Sequence, residues 1–217
     1  MKQPRSIPAA VLPAATLALS LACNVSVNGP IHVADGETRE NGLATVNGSL
    51  TVGRDCRIAG ACSVVNGEIE IGEGSSVGGL NAVNGPIRVG PRVTVDGDVD
   101  SVNGPISLAS GTIVGGEVST INGPIELDGT TVGEHVRTVN GDLQLSRSSV
   151  VKGNVVIERK IGGVRADRPL TVLIDTGSVV EGDLIVEDPD LPVKVYLRHG
   201  GRVNGEIRNA EVVRDAT

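Results

Sequence analysis

Apolar residues in this chain fall in short alternating runs, and the runs return at a nearly constant interval. The anchor of the pattern is Val/Ile-Asn-Gly. It returns seven times at this interval, with its Asn at Asn28, Asn47, Asn66, Asn84, Asn103, Asn122 and Asn140, in steps of 19, 19, 18, 19, 19 and 18 residues. With each Asn as position zero, apolar side chains stand at +3 and +5 in all seven repeats, from Ile31 and Val33 to Leu143 and Leu145. Further apolar positions follow at +11 (Ile58, Val77, Val95, Val114, Val151) and +15 (Val99, Val118, Val155, with Cys62 in the same slot). A spacing of two within each run predicts short strands that show one face to a core. Gly or Asn-Gly separates the runs, as corners need residues that tolerate positive φ.

Three short strands and three corners in 18 or 19 residues describe one coil of an all-β, single-stranded parallel β-helix, a β-solenoid. A stack of hairpins would not repeat a corner at this fixed interval. At a strand spacing of about 4.8 Å, seven coils rise about 34 Å. The stacked Asn residues then gain a role: each accepts left-handed backbone geometry, and each amide can bond the Asn above and below. One reading is a buried ladder that holds the corner; the other is a polar stripe that binds a ligand. The two 18-residue repeats each lose one position, predicting local bulges or shortened corners. After Val155 the strict period fails, and the remaining apolar runs predict two or three looser coils that close on Val203-Asn204-Gly205.

The N-terminus reads as an export signal. Lys2 and Arg5 precede an apolar stretch from Ile7 to Ala22, interrupted by Pro8 and Pro13, and the stretch stops at Cys23. Ala22-Cys23 resembles the cleavage site of bacterial lipoproteins, which implies that Cys23 carries lipid. Ser20 stands where the usual pattern has Leu, and ordinary signal cleavage is the alternative. Asn24 rather than Asp after the Cys implies, by the same resemblance, the outer membrane and a periplasmic location. The expected organisation is a signal peptide over 1–22, a regular solenoid of about seven coils over 23–157, and irregular coils with a cap over 158–217. Val25 and Val27 place the first strand almost directly after Cys23.

Composition narrows the function. The chain of 217 residues has 30 Gly, no Phe, no Trp and the single Tyr196, which suits a narrow coil interior filled by Val, Ile and Leu. Loss of Lys2 and Arg5 with the leader takes the formal net charge from −7 to −9. No basic stripe or aromatic platform for nucleic acid remains. Cys56 and Cys62 flank one corner; they form a disulfide in an oxidising envelope, or they are two small core residues. His32, His135 and His199 are scattered, so no metal or other cofactor is expected. Asp96, Asp98 and Asp100 alternate and read as a solvated acidic edge, with weak Ca²⁺ binding as the alternative.

The recurring Val-Asn-Gly-x-Ile units, with Val151-Lys152-Gly153-Asn154-Val155 and Val180-Glu181-Gly182-Asp183-Leu184, resemble bactofilin-type polymer-forming proteins and bacterial adhesin-repeat proteins. That resemblance covers about Val25 to Ile207 and implies a non-enzymatic protein able to associate through its ends. It implies a right-handed coil, while an 18-residue coil also suits a left-handed one. A unit such as Ile71-Gly72-Glu73-Gly74-Ser75-Ser76-Val77 resembles left-handed β-helix acyltransferases, but it appears once per coil and no His is framed for catalysis. The expectation is therefore a non-catalytic, lipid-anchored envelope protein with a structural or adhesive role. The alternative is a β-helix that binds or processes cell-wall or surface glycan.

Overall fold

The computed structural model describes residues 24–159 and 169–214, and within them every regular element is a strand. The chain is a parallel β-solenoid of about ten coils. Face one is a ten-stranded sheet running from Ile31–Val33 to Glu211–Arg214. Faces two and three together form a 17-stranded sheet, because Arg57–Asn66 and Ser76–Asn84 run unbroken round the corner between them. The leader, Cys23 and the stretch 160–168 lie outside the described residues.

Register follows the repeat. On face one, Ile31, Leu50, Ile69, Ile87, Ile106, Ile125 and Leu143 stack in one inward column. On face three the inward column is Leu43, Cys62, Leu80, Val99, Val118, Val136, Val155 and Leu184. Each coil buries its apolar side chains against the coils above and below, which is how a narrow solenoid makes a core without aromatics. The shortened repeats resolve at corners. Ile58 pairs with Val77 and Ala61 with Gly79, so the third repeat loses its residue as a bulge between faces two and three. The sixth loses its residue between faces one and two: Leu127 aligns with Leu108 but Thr131 with Ile113.

Ion pairs staple neighbouring coils from outside: Glu68–Arg88, Glu73–Arg92 and Asp128–Arg147. Arg137 spans three coils, meeting Glu117 at 3.0 Å and Glu158 at 3.1 Å. Such exposed or half-exposed pairs each contribute under about 1 kcal/mol; the core, not the surface charge, holds the stack.

Candidate functional site: the asparagine corner

Face three ends, coil after coil, on the repeat's Asn. Asn47, Asn66, Asn84, Asn103 and Asn122 are register partners in adjoining strands, as is Asn140 above them. Their side chains form a chain of amide bonds. Asn47 Nδ2 donates to Asn28 Oδ1 at 2.9 Å, Asn66 to Asn47 at 2.8 Å and Asn84 to Asn66 at 2.9 Å. Asn103 donates to Asn84 at 3.0 Å, Asn122 to Asn103 at 2.9 Å and Asn140 to Asn122 at 3.4 Å. Each internal amide spends one donor and one acceptor on the ladder and keeps one of each for solvent or a partner.

Two parts of the sequence reading need correction here. First, the ladder is not buried: Asn28 to Asn103 are exposed and Asn122 and Asn140 half-buried. Second, its asparagines do not adopt left-handed geometry; they are strand residues, and positive φ falls on the glycine after them at Gly67, Gly85 and Gly123 and at the next corner on Gly36, Asp55, Gly74, Arg92, Gly111 and Gly129. The Gly after each Asn is required by proximity. A Cβ on Gly48, Gly67, Gly85, Gly104, Gly123 or Gly141 would strike the carbonyl of the equivalent glycine one coil earlier. Beside the ladder runs an outward aliphatic stripe: Val46, Val65, Val83, Val102, Ile121 and Val139, all half-exposed, with Val27 60% exposed at its start. The corner is thus a ridge with a polar rail and an apolar rail.

The remaining candidates lie apart. Cys56 and Cys62, read from sequence as a disulfide or as two small core residues, are both buried. Cys62 sits in the inward column between Leu43 and Leu80. Cys56 stands at the corner between faces one and two, its Sγ donating to the Ala34 carbonyl at 3.1 Å. Its slot belongs to a column of buried hydroxyls that the sequence reading missed: Ser75, Thr112, Thr130, Ser149 and Ser178. Ser75 Oγ accepts from Cys56 N at 3.0 Å and donates to Gly53 O at 2.9 Å. Ser149 Oγ accepts from Thr130 N at 3.1 Å and donates to Leu127 O at 2.9 Å. A Ser, Thr or Cys just after the left-handed corner residue was the available signal.

The histidines stay separate. His32 projects from face one, and His199 Nδ1 meets Asp175 Oδ1 at 2.7 Å, a bond that holds the Asp175 carboxyl below its ordinary range. His135 Nδ1 accepts the Asn154 backbone N–H at 2.9 Å. Among the described residues, no group of three or more His, Cys, Asp or Glu is placed to hold a metal.

Of the acidic run, Asp98 is a corner acceptor, its Oδ1 taking the Glu117 N–H at 2.9 Å. Asp100 is half-buried and accepts from Ser119 Oγ at 2.5 Å. Burial raises its pKa above 3.8; the Ser119 bond opposes this, and the nearby Asp98 and Glu117 charges add to it. The folded state therefore holds the Asp100 proton more tightly than the unfolded chain does. Stability falls as pH rises from the ordinary value through the raised one, and the penalty is full at neutral pH. Asp100→Asn, which copies its register neighbour Asn81, is expected to raise the melting temperature by about 1–2 °C at pH 7. The gain disappears below the ordinary Asp value. Paired melts at pH 7 and pH 3 check it; an equal gain at both would remove the charge from the explanation.

No family model, curated protein or solved structure matches the chain. What the site can do is read from its geometry alone. It offers a long, regular surface that repeats every coil.

Proposed function

We propose that this chain is a non-catalytic, envelope-anchored β-solenoid lipoprotein with a structural or adhesive role. The observation that carries the reading is the continuous ridge: seven exposed or half-exposed asparagines bonded in series beside an aliphatic stripe. A catalytic site needs a few side chains unlike their neighbours converging on one point. This ridge repeats the same few groups at each level, as a scaffold or a multivalent contact surface does. The likeness of its repeats to bactofilin and adhesin-repeat proteins supports the same reading.

Anchoring rests on Cys23 at the end of the apolar leader, with the periplasmic face of the outer membrane as the destination. Among the described residues, no helix is long and apolar enough to cross a membrane. Lipid on Cys23 would supply a stable anchor without one. Metabolic palmitate labelling with fractionation, comparing wild type and Cys23→Ala, tests this. The expected result is label in the membrane fraction that vanishes in the variant. A soluble, unlabelled wild-type protein would sink the anchor.

A second reading, glycan binding, is favoured by the outward amide groups of the ladder, which match sugar hydroxyls in donor and acceptor. The one aromatic, Tyr196, is already faced by Arg198 at 5.2 Å from the ring centroid. Binding on a glycan array that is lost in Asn84→Ala/Asn103→Ala would favour this second reading.

A further inference from the structure

The two ends of the solenoid are built differently. At the C-terminal end, Arg202, Glu206, Arg208 and Glu211 are all exposed around Val203 and Ile207, and these charges surround the one strongly exposed valine of that edge, Val212 at 39%. The N-terminal end is an open mouth of about 320 Å³, walled by Val25, Ile31, Val33 and Leu43, with His32 and Arg39 also lining it. Two of the four large hydrophobic side chains most exposed among the described residues, Val25 at 39% and Val27 at 60%, belong to this end. Register explains their exposure. Val25 aligns with outward Ala44, while Ser26 takes the inward slot of Thr45.

Arg39 is the anomaly. It pairs in register with Ile58, and so stands in the inward column that Val or Ile fills in later coils. One guanidinium nitrogen bonds Glu37 at 2.6 Å. Its Nε is buried and has no hydrogen-bond partner among the described residues. A buried donor left unmade costs about 1–3 kcal/mol. Valine there would avoid that cost and extend the core by one layer.

The chain's own layout says what meets this mouth. Cys23 directly precedes the first strand, Asn24–Ser26. At no more than about 3.6 Å per residue, Val25 lies within roughly 7 Å of Cys23 and Val27 within roughly 14 Å. Lipid on Cys23 leaves no linker to hold the first coil away from the bilayer.

Resting on the lipoprotein reading above, we infer that the N-terminal mouth is a docking surface for phospholipid headgroups. Val25 and Val27 enter the interfacial layer, and Arg39 turns its unpaired donor toward a headgroup phosphate. The solenoid then stands on end, its ten coils reaching about 48 Å from the surface. Asp35, Glu37 and Glu40 outnumber Arg39 in this coil, so the contact is apolar with one charged bond and survives high salt.

Hydrogen exchange on the lipidated full-length protein tests the inference, in phosphatidylethanolamine–phosphatidylglycerol vesicles against dodecyl maltoside micelles, which lack phosphate. Amides of residues 24–39 should exchange at least about tenfold more slowly on vesicles, with residues 202–214 unchanged. Arg39→Val should melt no lower than wild type yet lose a measurable part of that protection, the share owed to its one charged bond. Palmitate label without the protection overturns headgroup docking and leaves the anchor standing. Absence of label overturns the anchor and this inference together. Full protection in Arg39→Val overturns the role of Arg39, and protection of both ends alike marks stacking of two copies, overturning the docking.

Discussion

Valine at position 104 is expected to cost more than about 4 kcal/mol, although Gly104 is only half-buried and its φ is not in the left-handed region. A Cβ there would meet the Gly85 carbonyl and the Pro86 nitrogen, both main-chain atoms that cannot swing aside. Relief requires parting the coils. That breaks Gly85 N–H to Asn103 O at 3.0 Å and strains Gly104 N–H to Asn122 O at 2.9 Å. Gly36→Ala is the control: its φ is +75° but nothing lies within 4 Å of the added methyl, so it loses only about 1 kcal/mol. Urea unfolding followed by circular dichroism compares them. If Gly104→Val unfolded at the same midpoint as Gly36→Ala, the close-approach account would be wrong.

The second large effect is expected at Ile106→Asp. Ile106 is fully buried, stacked between Ile87 and Ile125 in the face-one column. An ionised carboxylate has no partner there, so it must either take up a proton or open the coil, at a cost of at least about 4 kcal/mol. Ser107 is the next residue and points outward between Arg88 and Glu126. Ser107→Asp should change stability by less than about 1 kcal/mol. Because each coil touches only its neighbours, hydrogen exchange in Ile106→Asp should rise first in the coils of Ile87 and Ile125 and fall off toward the ends. Uniform loss of protection along the rod would contradict that locality.

The repeat was legible because every coil applies the same constraint to the same position. The inward columns of Ile, Leu and Val carry the period openly, and the face-one column Ile31 to Leu143 follows it throughout. The Asn ladder was legible for the same reason. Its exposure was not, because Asn serves equally well in a buried or a surface stack. Gly at this corner meets two demands, positive φ at Gly67, Gly85 and Gly123 and close approach of the preceding coil throughout, and only the first was legible in the sequence. The outward Val/Ile stripe was hidden by a related ambiguity: Val102 is as apolar as Val99, yet the two fall on opposite sides of one strand. Arg39 stood in an inward slot that the pattern reserves for Val, and only register with Ile58 exposes the exception.

Among the described residues, the strand-to-strand bonds between coils run along the axis of the rod. A load that pulls the C-terminal end away from the N-terminal end therefore acts on one ring of hydrogen bonds at a time, like peeling, instead of shearing many at once. Each 19-residue coil that lets go would release about 65 Å of chain. Held at one end, such a rod would yield first in the larger C-terminal coils and then in small, nearly equal steps through the regular ones, and it would be compliant under tension while staying firm against sideways compression of its packed core.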